Sequence, residues 1–225
     1  MEARRTGDIV QGDFLDIYNN LYKKMVLSVK WPLKNCRAKY ILKTDEDCYV
    51  NTAMLLSFLE KYDATRGSNA LYMGRKSDNI SVERDPEDRY YVSEEIYPSP
   101  TYDPYISGGG YVFSGFLLEK LYEASKVFPL FPVEDACFGS LMKKIGVQPK
   151  NNLRFLPFIH CIFLDEFKDP LDRPMCEFLG PMIIHGLVPL KQLQMNFHVK
   201  LLMHTPMLCQ SSDNNGWLKS RKTCG

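Results

Sequence analysis

The chain has 225 residues, of which 45% are apolar and 24% charged, with 28 Lys and Arg against 27 Asp and Glu. That length accommodates one domain with a substantial core, and a net charge of +1 excludes the strongly basic surface that drives non-specific nucleic-acid binding. No apolar run approaches the ~20 residues of a membrane-spanning helix, and the segment Met1 to Asp8 lacks the apolar centre of a signal peptide.

Cysteines at positions 36, 48, 137, 161, 176, 209 and 224 are too scattered for a zinc-finger spacing. They fit a reduced protein or one with two or three bridges, and the odd count leaves at least one unpaired.

In chain order, Asp8-Ile9-Val10 predicts a short strand, with Gly12 and Asp13 as its turn. Ile17, Leu21, Met25 and Val29 recur every four residues, predicting a helix from Asp16 to about Lys30 that Pro32 ends.

The next segment, Tyr40-Ile41-Leu42-Lys43-Thr44-Asp45-Glu46-Asp47, carries the strongest chemical signal. A central, buried strand over 39–44 runs into three adjacent carboxylates, which repel one another and call for a counter-charge. In an extended backbone Asp45 and Asp47 project to one side and Glu46 to the other. The pattern suits a hard divalent cation held by oxygen ligands, magnesium or manganese; the bland reading is a solvated turn at a strand end. Asn51 is an N-cap for a helix over about 52–61, with Leu55, Leu56, Phe58 and Leu59 inward.

Residues 70–74 predict a strand and 75–89 a polar connection bearing Asn79-Ile80-Ser81, a glycosylation acceptor if the chain is secreted. The segment 90–105 combines Tyr90, Tyr91, Tyr97, Tyr102 and Tyr105 with three prolines and closes on Gly108-Gly109-Gly110. Tyrosine rings suit stacking on a sugar face, and glycines admit close backbone approach; a loop packed on the core explains the same composition. A strand over 111–114 and a helix over 116–126, with Leu117, Leu118 and Leu121 inward, follow.

Glu134 and Asp135 begin a helix that continues to Gly146. Carboxylates there cap the exposed N–H groups, or one serves as a general base. Residues 155–163 predict a strand. A final core strand over 181–189 delivers His185, either a satisfied core side chain or a metal ligand. The tail from about 206 to 225 is polar.

Taken together and in order, these segments resemble one family, the β-1,3-glycosyltransferases, which include β-1,3-galactosyl- and β-1,3-N-acetylglucosaminyltransferases and the Fringe enzymes. The resemblance rests on the run from Gly7 to Leu21, on Lys43-Thr44-Asp45-Glu46-Asp47, and on Tyr91-Val92-Ser93 through Tyr97-Pro98. It continues with Tyr105 to Ser114, Val133-Glu134-Asp135 with Gly139, and His185 with Pro189. It implies an α/β GT-A fold, Rossmann-like, as a partial catalytic domain over residues 7–205, starting after the family's signal anchor and first uridine-binding strands.

The implied activity is inverting transfer of galactose from UDP-galactose to a glycan acceptor in a β-1,3 linkage. N-acetylglucosamine or N-acetylgalactosamine transfer, or a non-catalytic binding role, are the alternatives. By position, Asp45, Asp47 and His185 resemble the manganese ligands and Asp135 the catalytic base. Lys43, Glu46, Glu134, Tyr105, Gly108, Gly109 and Gly110 fall at the substrate. The resemblance also implies a Golgi membrane setting with a luminal catalytic domain. A metal-dependent phosphoryl-transfer enzyme fits the acidic cluster less well, because no phosphate-cradling glycine loop accompanies it.

Overall fold

The computed structural model describes residues 5–66, 69–156 and 179–205 and is a mixed α/β protein. Its contacts divide into two compact units, each drawing on several chain segments: Met1–Ile41, Asp78–Tyr105 and Phe113–Pro149 in the first, Leu42–Ser77, Ile106–Val112 and Lys150–Gly225 in the second. The polar tail from 206 and the predicted strand beyond Leu156 lie outside the described residues.

In the first unit, helix α1 (Leu21–Asn35) packs against α3 (Leu118–Ser125) and α4 (Glu134–Lys144). Met25 and Val29 of α1 are buried, as are Leu117, Leu118 and Leu121 around α3, so the fourfold spacing of apolar residues marks the packed face. Two boundaries differ from the expectation. Ile17 lies outside the helix and exposed, before a 3-10 turn over Tyr18–Asn20. Pro32 sits inside the last turn without ending it, because a proline there removes only one donor while Cys36 N–H still bonds the Pro32 carbonyl at 2.8 Å. Residues 8–10 form no strand; Ile9 and Val10 are exposed and lack the packed face a strand needs.

The tyrosine-rich loop divides its aromatic residues between core and surface. Tyr97 and Tyr102 pack on the buried ring of Phe131, and Tyr102 meets Tyr105 edge-on. Arg84 ties the loop together by donating to the carbonyls of Val92, Tyr97 and Ser99. Most of this composition therefore builds core, which is the packed-loop alternative. Tyr90 remains partly exposed against Tyr18.

A four-stranded sheet, most of whose residues belong to the second unit, runs in the order β1 (Tyr40–Thr44), β4 (Tyr105–Ser114), β3 (Tyr72–Ser77), β5 (Lys150–Asn151). β1 stands at the edge and is only partly buried, which corrects the expectation of a central buried strand. Strand β4 is longer than predicted and takes in all three glycines.

A three-stranded sheet pairs β2 (Tyr49–Val50) antiparallel with β7 (Ile183–Ile184), and β7 parallel with β6 (Phe155–Leu156). Helix α2 (Thr52–Arg66) begins at its predicted cap, with Asn51 Oδ1 accepting from Met54 N–H at 3.1 Å. It runs past the predicted 61, burying Leu55, Leu59 and Tyr62 while Leu56 faces out. Helix α5 (Pro189–His204), which the sequence pattern did not announce, inserts Met195 and Val199 into the cluster of Tyr49, Leu156, Ile184 and Leu187.

Candidate metal and nucleotide-sugar site

The acidic cluster is a turn between β1 and β2, not a continuation of the strand: Cys48 N–H bonds the Asp45 carbonyl at 3.3 Å. Its orientation nonetheless separates the three acids. Asp45 and Asp47 are partly enclosed and Glu46 is exposed. Two contacts fasten the turn from outside, and a third braces them. Leu187 N–H donates to the Asp47 carbonyl at 2.8 Å, and Gln192 Nε2 of α5 donates to the carbonyls of Glu46 and Leu187.

Register brings His185 to this turn. Tyr49 lies opposite Ile184 in the antiparallel ladder, so the residue before Tyr49 and the residue after Ile184 leave it side by side. His185 N–H is held by the Leu156 carbonyl at 3.1 Å. Its Nε2 then stands 3.3 Å from Asp47 Oδ1 and 3.9 Å from Asp45 Oδ2. The ring occupies space that Gly109 leaves open, since a Cβ built on Gly109 would lie 2.8 Å from His185 Cγ. Gly110 does the same for Ile183, whose Cδ1 would be 2.8 Å from its Cβ. None of the three glycines of the run has a positive φ, so close approach rather than backbone freedom accounts for Gly109 and Gly110.

Lys43 places a positive charge in the same cluster. Its Nζ donates to Asp45 Oδ1 at 2.7 Å and to the Gly108 carbonyl at 2.8 Å. Cys48 was not singled out in the sequence, although it adjoins Asp47. Its thiol is buried and donates to the Gly109 carbonyl at 2.8 Å, with Sγ 3.9 Å from Asp47 Oδ1. Burial pushes this thiol above its ordinary range. The donor set of carboxylate oxygens and an imidazole nitrogen fits a divalent cation, and the structure thus gathers Lys43, Asp45, Asp47, His185, Gly108 and Gly109 in one unit.

Glu134, Asp135 and Tyr105 belong to the other unit. Asp135 lies in the first turn of α4, partly buried, with Oδ1 accepting from Ala136 N–H at 2.9 Å. The helix is drawn close by Gly139, whose Cβ would sit 2.3 Å from Tyr105 Cβ. It is also anchored by Ser140 and Lys143, both bonded to Asp103.

Burial and the negative charge of Asp135 and Glu134 raise the Tyr18 phenol, while the Arg89 guanidinium opposes that rise from above its ring at 4.9 Å. Arg89 also lines a cavity of about 220 Å³ with Asn19, Asp88, Tyr91 and Ser93. Tyr105 itself is buried against Gly139 and Tyr102. Neither Tyr18 nor Arg89 was singled out as a site residue in the sequence; folding brings Tyr18 into the field of the α4 carboxylates and Arg89 over the Tyr18 ring.

The galactosyltransferase family model matches residues 1–153. Acetylgalactosaminyl-O-glycosyl-glycoprotein beta-1,3-N-acetylglucosaminyltransferase of Mus musculus is 30% identical over 196 residues, which is 87% of this chain and 49% of that protein. Beta-1,3-galactosyltransferase 5 of Homo sapiens is 34% identical over 148 residues, 65% of this chain and 47% of the relative. N-acetyllactosaminide beta-1,3-N-acetylglucosaminyltransferase 2 of Homo sapiens is 29% identical over 189 residues, 84% and 45% respectively. The chain therefore spans about half the length of the curated relatives it matches.

Proposed function

Because the chain belongs to the galactosyltransferase family, we propose that it transfers a hexose from a UDP-sugar to a glycan hydroxyl in a β-1,3 linkage, with inversion, on a GT-A framework. The observation that carries this reading is the approach of His185 to the acidic turn, its Nε2 standing 3.3 Å from Asp47 Oδ1 and 3.9 Å from Asp45 Oδ2. That cluster suits manganese, which when bound supplies Lewis-acid neutralisation of a leaving diphosphate. Asp47 and His185 are its ligands, with Asp45 offering the oxygen that Lys43 leaves free. Lys43 and the Gly108 and Gly109 carbonyls define the floor of the donor end.

Asp135 is the general base in this reading, taking the proton of the acceptor hydroxyl as that oxygen attacks the anomeric carbon from the face opposite UDP. An inverting displacement needs no second, nucleophilic carboxylate. The cavity beside Arg89 offers the hydroxyls and amides of Asn19, Tyr91 and Ser93 for acceptor sugars, and Glu134 is assigned to the same end.

Galactose is the first donor by the family match. UDP-N-acetylglucosamine is the second, favoured by relatives such as the rat enzyme named UDP-GlcNAc:betaGal beta-1,3-N-acetylglucosaminyltransferase 7, 32% identical over 86% of this chain. A Golgi luminal setting goes with this function; among the described residues no helix is long and apolar enough to cross a membrane. The test is transfer from each UDP-sugar to galactose- and N-acetylglucosamine-terminated acceptors, by wild type and Asp135→Asn. The reading expects transfer that depends on manganese and drops by about 10²-fold or more in the variant. Unchanged transfer by a folded Asp135→Asn protein contradicts it.

A further inference from the structure

We propose that Asp47, Cys48 and His185 form a three-ligand site for a thiophilic divalent cation, zinc above all, which competes with manganese for this turn. The inference deepens the metal assignment above and rests on it for Asp47 and His185; the role of Cys48 is new. One atom from each of the three side chains lies within 4.8 Å of the other two.

The spacing fits a small tetrahedral ion. Zinc bonds of about 2.0–2.1 Å to oxygen and nitrogen imply an edge of ~3.3 Å between those ligands, and Asp47 Oδ1 stands 3.3 Å from His185 Nε2. A zinc–sulfur bond of about 2.3 Å implies a sulfur–oxygen edge of ~3.5 Å, against 3.9 Å between Cys48 Sγ and Asp47 Oδ1. The Cys48–Asp47 edge closes by a few tenths of an ångström on side-chain rotation, and the third edge, between Cys48 and His185, lies within 4.8 Å. Three protein ligands leave a fourth position open for water or a phosphate oxygen.

Ligand chemistry separates the two ions. Thiolate is a soft donor that selects zinc, whereas carboxylate and water suit manganese. Asp45 contributes to an oxygen site, but Lys43 already holds its Oδ1 at 2.7 Å, so replacing it by sulfur leaves that ion pair intact. On binding, the Cys48 S–H proton passes to solvent, the sulfur–metal bond forms, and the Gly109 carbonyl loses its donor; no electron changes hands. The result is an enzyme held silent by zinc at its own cofactor turn.

Cobalt(II), a spectroscopic stand-in for zinc, tests this directly. The purified chain is titrated with cobalt while the near-ultraviolet thiolate-to-cobalt charge-transfer band is followed, and manganese binding is measured in parallel by electron paramagnetic resonance. The protein is wild type, Cys48→Ser and Cys48→Ala. The proposal expects a band that saturates near one equivalent, is bleached by zinc and is absent in both variants. Zinc affinity should fall by about tenfold or more, since even outer-shell partners are worth that much, with manganese affinity nearly unchanged. Manganese binding without a cobalt–sulfur band overturns the role of Cys48 and leaves the oxygen site standing. Binding of neither metal overturns both, and a band that survives in Cys48→Ser assigns the sulfur to another cysteine and overturns the proposal.

Discussion

Gly109 and His185 occupy one another's space: a Cβ on Gly109 would lie 2.8 Å from His185 Cγ, 2.9 Å from its Cβ and 3.1 Å from its Nδ1. The imidazole reaches Asp47 only because β4 carries no side chain at that point. Gly109→Ala should therefore push the ring off the acidic turn. Manganese affinity should drop by about tenfold, and overpacking should cost about 1–3 kcal/mol of stability. In a His185→Ala background, which removes the ring but keeps the Cβ at 2.9 Å, the same substitution should lose part of its stability cost, a coupling readable from denaturant melts of the four proteins.

Gly139 answers to a second close approach, with Tyr105 Cα 2.9 Å and Cβ 2.3 Å from where its own Cβ would be. The neighbour here includes backbone, which yields less than a side-chain tip. Gly139→Ala should destabilise by about 1–3 kcal/mol or more, and by shifting α4 it should also reduce transfer. Tyr105→Ala in the same chain keeps both clashing atoms and should not rescue the loss, which a thermal melt checks.

Lys43 competes with any cation for Asp45. Removing it as Lys43→Met should tighten manganese binding severalfold, since an ammonium this close opposes a second positive charge, with solvent screening limiting the gain. The metal-free protein should lose about 1 kcal/mol, because Asp45 and the Gly108 carbonyl give up their donor. Parallel metal titration and thermal melting separate the two effects.

Alkaline pH should unfold the first unit through its buried acids. Burial pushes the Cys137 thiol from 9.0 up to about 12 and the Tyr102 phenol from 10.0 up to about 12. A raised folded pKa means the unfolded chain loses its proton first, so the stabilisation is whole below pH 9 and is lost as pH rises from there toward 12. Melting temperature should fall steadily over that window. Cys137→Ala, which has no thiol to titrate, should flatten the fall above pH 9 while lowering stability at neutral pH through the lost packing.

The sequence announced the acidic turn because an apolar strand followed at once by three carboxylates has few physical explanations. It also announced the starts of α2 and α4, where Asn51 and the Glu134-Asp135 pair mark the first turn. Helix α5 escaped notice because its apolar residues lie on both faces: Met195, Val199 and Leu202 are buried while Leu190, Leu193 and Phe197 are exposed, so no single stripe stands out.

The triple glycine did not read as strand because glycine is a poor strand former, yet β4 needs it where His185 and Ile183 press against its backbone. Cys48 entered the site through the register of β2 with β7, and Gln192 reached the turn from α5. Both depend on contacts more than 100 residues apart in sequence, as the bond from Gln192 to Glu46 at a separation of 146 illustrates, and local pattern carries no trace of them.

The most direct test of the metal-assisted UDP-sugar assignment is the melting temperature of this chain with UDP, with manganese, and with both, for wild type and Asp47→Asn. A ligand that binds only the folded state raises stability by mass action, about 2.7 kcal/mol at a hundredfold excess over Kd. The assignment predicts a UDP-induced rise that requires manganese and disappears in Asp47→Asn. A folded protein with no rise, or a rise that Asp47→Asn retains, would contradict it.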